Sequence, residues 1–315
     1  MEIRRIDIET LSEASTSVFL SKKWLSIYDE NLEPYGIFKG KSGMLGGFVL
    51  YKQKRSGITY YRNPMYMPTI GLFFENSTQN KSKKLSENKK VMKAISDFLS
   101  NLSYGVLSIY LPYNHIDMQP FFWEGFKVVP NYTYHIDLTQ SIESVQKAYS
   151  TERRNDIKKA VKDGVETRLT DDYTLVKKLV QNTFSRKEKQ VDIDIIDKIL
   201  FQFADTKNSF AFISYQNERP ISAAFCIYDN EKVYYLLGGY DNEFKHQGAG
   251  ALAVNAAINK SKEMGISIFD FEGSMIPEVE KYFRGFGGDL IPYYSINKAS
   301  LPLEMALKII NRSQF

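Results

Sequence analysis

With 315 residues, 43% of them hydrophobic and 14% aromatic, the chain carries core material for two domains and is not a disordered sequence. A formal charge of +4 permits an anionic ligand such as a nucleotide or tRNA without demanding one. The single cysteine, Cys226, excludes an intrachain disulfide and points to a reducing compartment and a packing role. The three scattered histidines, His115, His135 and His246, have no metal-ligand spacing, so no metal site and no Cys/His nucleophile are expected.

The first residues are charged where a signal peptide needs an apolar core, and nowhere do eighteen apolar residues run together. A soluble, cytoplasmic protein without a membrane span is expected. In chain order, the first half reads as a strand at 3–8, a helix at 23–31 carrying Trp24, and strands at 35–39, 44–54 and 58–61. Next come a proline-stiffened, exposed-looking segment at 63–68, an apolar strand at 70–74 and a polar loop at 75–84. A helix over 85–102 places Val91, Ile95, Phe98, Leu99 and Leu102 on one face, and it leads to a strand at 106–111. A short helix and a segment at 126–138 close this half.

The second half opens with 141–149 and a basic helix at 153–162, then a strand at 165–169. Asp171 or Asp172 caps a helix reaching about 184, and another helix follows at 193–204. Strands at 209–215, 221–228 and 233–237, joined by tight turns at 217–220 and 229–231, form a meander. It feeds Lys245-His-Gln-Gly-Ala-Gly250, which opens an Ala-rich helix at 249–264, stopped by Gly265, and a strand at 266–271. Strand, glycine pair, helix and strand make a βαβ unit. Both halves run strands, helix, strand, closing strand, so one α/β unit is expected to be duplicated.

The stretch at 245–250 has the character of an anion cradle. Glycines at a helix mouth let the backbone approach a ligand, and the first turn offers free N–H groups and the positive dipole end, a fit for a pyrophosphate. The plainer alternative is that Gly248 and Gly250 only ease the turn into the helix.

Four stretches carry a family resemblance: Phe19-Leu-Ser-Lys-Lys-Trp24; Ile136-Asp-Leu138 leading to the segment 153–165, from Arg153-Arg-Asn-Asp to Asp-Gly-Val165; the hairpin pair at 221–239; and Phe269-Asp-Phe-Glu-Gly-Ser274 with Tyr282-Phe-Arg-Gly-Phe-Gly-Gly288. In these the chain resembles the Fem family of peptidoglycan-bridge transferases, whose members carry two domains of the GNAT acyltransferase fold. The resemblance implies a mixed α/β (α+β) protein of two tandem GNAT-like domains, each a mostly antiparallel mixed sheet flanked by helices. The expected boundaries are 1–132, 133–298 with the donor site, and a C-terminal helix at 299–315.

In that superfamily the strand before the cradle splays from its neighbour. The resemblance therefore assigns the backbone at Leu236 and Gly238 to an acyl or pantetheine arm, and Lys245, Gln247, Gly248, Ala249 and Gly250 to a coenzyme A pyrophosphate. Lys245 stands where arginine or glutamine is usual. Typical Fem enzymes use aminoacyl-tRNA, and some carry a long two-helix arm. Residues 171–208 hold only two ordinary helices, which favours an acyl-CoA such as acetyl-CoA as a transient co-substrate, with no permanently bound cofactor and aminoacyl-tRNA as the alternative.

Direct acyl transfer to an amine needs a base, an acid for the leaving group and oxyanion stabilisation, but no covalent triad. Tyr282 lies near the position of the GNAT tyrosine acid, although its ring could instead pack on Phe286, and an apolar aromatic commonly matches it in Fem relatives. Asp270 and Glu272 alternate along the expected strand and would face one side of the cleft. Glu272 is favoured over Asp270 as base or ammonium ligand; a structural bond to the following turn is the alternative for either. Helical spacing groups Arg154, Lys158 and Lys162. Charge runs are usually solvated faces, but the resemblance gives Arg154 and Lys158 a phosphate-binding or acceptor-orienting role. Lys22, Trp24 and Tyr66 resemble acceptor-cleft residues, with core packing the alternative for Trp24.

The expected function is acyl or aminoacyl transfer to a primary amine on a cell-envelope precursor (cell wall biogenesis), an amino sugar or a peptide. A non-catalytic nucleotide or nucleic-acid binder on the same fold is the remaining alternative. Oligomeric state is not encoded in any readable pattern.

Overall fold

The computed structural model describes residues 1–28, 31–40, 42–185, 192–273 and 275–315. The chain forms two units, Met1–Asn131 with Pro292–Phe315, and Tyr132–Ile291.

In the first unit β1 (Glu2–Arg5) ends early because Asp7 caps α1 (Ile8–Glu13), accepting the Thr10 N–H at 2.6 Å. This helix replaces the end of the strand expected to reach residue 8. Ser21 caps the short α2 (Lys22–Leu25). A meander of β2 (Leu32–Lys39), β3 (Ser42–Arg55) and β4 (Ile58–Arg62) follows, with β1 on β2. The apolar run at 70–74 contributes only β5 (Phe73–Phe74), paired with β3, because Ile70 instead bridges Tyr110 and Val49 through its backbone. Helix α3 (Lys81–Ser100) returns the chain to β6 (Val106–Leu111), which runs parallel to β4; α4 (Gln119–Trp123) follows. The α3 face of Val91, Met92, Ile95 and Leu99 packs on Ile37, Phe48, Leu50, Leu107 and Ile109.

Strand β7 (Lys127–Asp137) leads into the second unit. Next come α5 (Ile142–Ala148), α6 (Thr151–Lys162), β8 (Glu166–Thr170), α7 (Tyr173–Ser185) and α8 (Ile193–Asp197), which runs on as a π-helical turn to Phe203. Then β9 (Ser209–Gln216), β10 (Arg219–Tyr228) and β11 (Lys232–Tyr240) extend the meander. Asn217 and Glu218, at φ 51° and 58°, make the tight turn between the first two of these. Helix α9 (Ala249–Glu263) crosses to β12 (Ile268–Asp270), and α10 (Pro277–Arg284) follows. The unit's sheet runs β7-β12-β11-β10-β9-β8, antiparallel except for β11 with β12.

The last elements, β13 (Asp289–Ala299) and α11 (Leu301–Ile310), complete the first unit. Residues Tyr294–Ala299 pair antiparallel with Leu111–Val106 of β6. The division expected after residue 298 therefore falls after Ile291, because the closing strand of the first sheet comes from the end of the chain. The two units repeat one order: a meander, a crossover helix to a parallel strand, then an antiparallel closing strand (β13 on β6, β7 on β12). Among the described residues no helix is long and apolar enough to cross a membrane.

Candidate active site

The second unit contains a cleft made by two strands that part. Strand β11 pairs with β12 only through Lys232, Val233 and Tyr234, so residues 235–240 have no strand partner on that side, and the Tyr240 N–H donates to Thr183 Oγ1 at 3.2 Å. A bulge adds to the divergence: Phe225 pairs with Leu237 and Cys226 with Tyr235, leaving Leu236 as the extra residue. The resulting hollow, about 620 Å³, is walled by Leu236 and Gly238 on one side and by Glu272 and Tyr282 on another. A Cβ at Gly238 would lie 2.2 Å from the Tyr235 Oη, so a side chain there would have to displace that phenol.

The mouth of α9 opens into this hollow. The N–H groups of Gly250 and Ala251 have no hydrogen-bond partner among the described residues, as the first turn of a helix leaves them. Lys245, Gln247 and Gly250 line the cleft, and so does His246. Gly248 and Ala249 do not. A Cβ at Gly248 would meet the Asp156 carbonyl oxygen at 2.0 Å, so this glycine lets α6 pack closely, and Ala249 is buried beside Ala160. At Gly250 a Cβ would sit 3.3 Å from the Tyr282 Oη and 3.4 Å from Ser222 Oγ. Gly250 is thus the glycine that faces the site.

Tyr282, on α10, presents its phenol to the cleft, and its oxygen has no hydrogen-bond partner among the described residues. Its ring also packs edge-on to Phe286 at 5.5 Å, so the expected packing and the exposure of the hydroxyl coexist. Burial pushes the phenol up to about 12, against the lowering effect of the Arg153 cation, which lies 4.2 Å over the ring. Arg153 is 5% exposed and pairs with Asp156 at 2.9 Å, while Gln247 Nε2 donates to the other Asp156 oxygen at 2.9 Å. The chain Gln247, Asp156, Arg153, Tyr282 ties the cradle to α10.

Glu272 lies beyond the end of β12, not on it. Its backbone has φ 61° and that of Gly273 has φ 80°, where a Cβ would strike the Tyr132 carbonyl oxygen at 2.5 Å. A non-glycine residue in that region costs about 1–3 kcal/mol, which the surroundings must impose. The Glu272 Oε1 is closed off from solvent and has no hydrogen-bond partner among the described residues, and burial, with the nearby Asp270 charge, raises its carboxyl well above the usual range despite Lys232.

Asp270 does not share the cleft with it. Its carboxylate accepts from Thr133 Oγ1 at 2.7 Å, His135 Nε2 at 2.8 Å and the Glu272 N–H at 2.9 Å. Burial alone would raise this carboxyl, but the His135 bond, the Lys232 charge and the Thr133 hydroxyl hold it below the usual value. Asp270 therefore holds the turn that aims Glu272, which corrects the expectation that both carboxylates point to one face.

The other expected site residues lie elsewhere. Arg154 Nη1 donates to the carbonyls of Lys147, at 3.0 Å, and Tyr149, fastening the turn between α5 and α6, and Lys158 is exposed on the outer face of α6. It is Arg153, one residue earlier, that turns inward. In the first unit Trp24 is fully buried against Phe19 and Tyr28. Tyr66 is half-buried at φ 64° in the 63–68 segment, whose Met67 is buried, contrary to the exposed look of that sequence. Ser274, part of the motif quoted above, lies outside the described residues.

Comparison with known proteins agrees with this geometry. Residues 152–284 match the family described as Acetyltransferase (GNAT) domain. Over 110 residues the chain is 33% identical to the aminoacyltransferase FemA of Staphylococcus epidermidis, a match covering 30% of this chain and 26% of that protein's length. The solved structure of FemX superposes with a TM-score of 0.70 at 12% identity, over 98% of this chain and 100% of that one. A tandem GNAT protein from the clavulanic acid biosynthesis pathway gives 0.52 at 9% identity, over 94% and 98%. Most of the second unit is thus similar to the GNAT acetyltransferase domain. As a whole the chain is similar in fold to the solved FemX structure.

Proposed function

We propose that the protein is a cytoplasmic N-acyltransferase that moves an acyl group from a coenzyme A thioester to a primary amine on a cell-envelope precursor, amino sugar or peptide. The observation that carries this reading is the parting of β11 from β12 beside the open mouth of α9. Unpaired strand backbone suits an extended amide-bearing arm, and the free N–H groups of Gly250 and Ala251 with Lys245 suit its phosphates.

The amine nitrogen attacks the thioester carbonyl, the C–N bond forms, and the C–S bond breaks. Glu272, whose buried carboxyl has a raised proton affinity, takes the proton released by nitrogen. Tyr282, protonated at neutral pH, gives its proton to the departing sulfur. Water in the cleft then returns the proton from Glu272 to the phenolate, and the products are an amide and a thiol. Unpaired backbone N–H groups would stabilise the tetrahedral oxyanion.

Calorimetric titration with acetyl-CoA, and in parallel with charged and uncharged tRNA, tests the donor. Acetyl-CoA is expected to bind the parent and to be lost in Gly250→Leu, whose side chain enters the cleft. Binding of charged tRNA alone would overturn this donor in favour of aminoacyl-tRNA, the second reading, which the local identity to FemA favours.

A further inference from the structure

Helix α11 wears its apolar residues on the outside. A helix packed on a protein ordinarily turns its apolar stripe inward, yet no residue of α11 is buried, and only Leu303, Glu304 and Leu307 are partly covered. Leu301, Met305 and Ile309, four apart and therefore on one face, are 79%, 70% and 85% exposed, and Ile310 is 81% exposed. Pro302 and Ala306 fill the surface between them. Single exposed leucines need no explanation, but a continuous apolar face does.

Positive charge borders that face. Lys308 and Arg312 share a hollow of about 580 Å³ with Lys127, Lys298 and the 71% exposed Phe122. Lys308 pairs with Glu304 at 2.6 Å, whereas Arg312 and Lys127 have no acidic partner among the described residues. We infer that this face of the first unit docks on an anionic lipid bilayer surface. A ten-residue helix, about 15 Å long, is far too short to span a bilayer. It suits the interface plane, with its apolar side among the acyl chains and the cations at the headgroups. A second copy of the chain is the poorer occupant, because a two-fold contact would set Lys308 and Arg312 against their own mates. The inference does not depend on which donor the second unit binds.

Co-sedimentation of the full chain with vesicles tests it. The parent is expected to pellet with phosphatidylglycerol vesicles at low salt, to be released by added salt, and to bind phosphatidylcholine vesicles weakly. Met305→Glu with Ile309→Glu should lose the pelleting while keeping the parent's circular dichroism, since both side chains face solvent. Lys308→Glu with Arg312→Glu should reduce it to the phosphatidylcholine level. A parent that ignores phosphatidylglycerol overturns the inference, and so does a Met305→Glu/Ile309→Glu protein that pellets like the parent. Self-association in analytical ultracentrifugation, abolished by the same pair and unaccompanied by vesicle binding, overturns it in favour of a second copy.

Discussion

Tyr282 and Glu272 reach the same cleft from different elements, and the protonation state of each follows from what surrounds it. With its phenol held near 12, Tyr282 is an acid throughout the neutral range, and Tyr282→Phe should lower kcat about a hundredfold or more with little change in donor affinity, measured by steady-state kinetics and calorimetry. A Phe variant as fast as the parent would reduce the ring to packing on Phe286. For Glu272 the sign is opposite to that of a salt-bridged carboxylate: its raised native affinity makes the folded state hold a proton that the unfolded chain releases. The group's stabilising contribution is therefore complete below the ordinary glutamate pKa and is lost as pH rises toward the native one. Glu272→Gln should remove this pH-dependent loss in denaturant melts and abolish the acidic limb of the kcat profile. Parent-like profiles in both assays would exclude it as the base. The nearness of Tyr282 to the glycine motif at Gly285 was readable from the sequence, whereas Glu272 was expected on the strand in alternation with Asp270 and lies beyond the strand's end. Arg153 was not legible ahead of Arg154, because an amphipathic period in so basic a helix does not say which cation turns inward. The usable signal was Asp156 three residues on, a partner on the same helical face.

The cradle shows why spacing alone misassigned a glycine. Both Gly248 and Gly250 stand at the helix mouth, but α6 crosses behind one and the cleft opens before the other. A side chain at Gly248 must push a backbone carbonyl 2.0 Å away, whereas one at Gly250 meets only a phenol and a hydroxyl beyond 3.2 Å. Gly248→Ala should thus destabilise the protein by about 1–3 kcal/mol, the usual range for overpacking, while Gly250→Ala should leave its urea midpoint near the parent's and weaken donor binding. Equal midpoints for the two variants would show that α6 can yield. The splay of β11 was expected only from family likeness; its local cause, the bulge at Leu236, depends on which residues of β10 lie opposite, and a single strand's sequence does not contain that pairing. Likewise β12 reads as longer than it is, since apolar alternation continues through Phe271 while the positive φ of Glu272 ends the ladder.

At the scale of the whole chain, the repeated order of meander, crossover helix and closing strand was readable from the succession of apolar runs and turn residues. The exchange of the closing strand was not. Burial along β13 does not alternate, since Ser295, Ile296 and Asn297 are all buried, and its partner β6 lies nearly two hundred residues back in sequence. Long-range pairing of that kind leaves no local trace. The consequence is testable, because a domain ending at 132, as the sequence implies, lacks the strand that covers β6. Without it Leu107 and Ile109 lose the Ile296 side of their cluster, and Ser108 Oγ loses the Asn297 Oδ1 that accepts from it at 2.6 Å. An isolated fragment of residues 1–132 should therefore fail to show a cooperative urea transition or dispersed amide resonances, whereas the same fragment with residues 292–315 fused through a flexible linker should show both. If the short fragment folds cooperatively by itself, the first unit does not need its last strand, and the boundary read from sequence is the autonomous one. If only the fused form folds, residues that follow the second unit complete the first, and folding of the first unit must wait for the second to be synthesised.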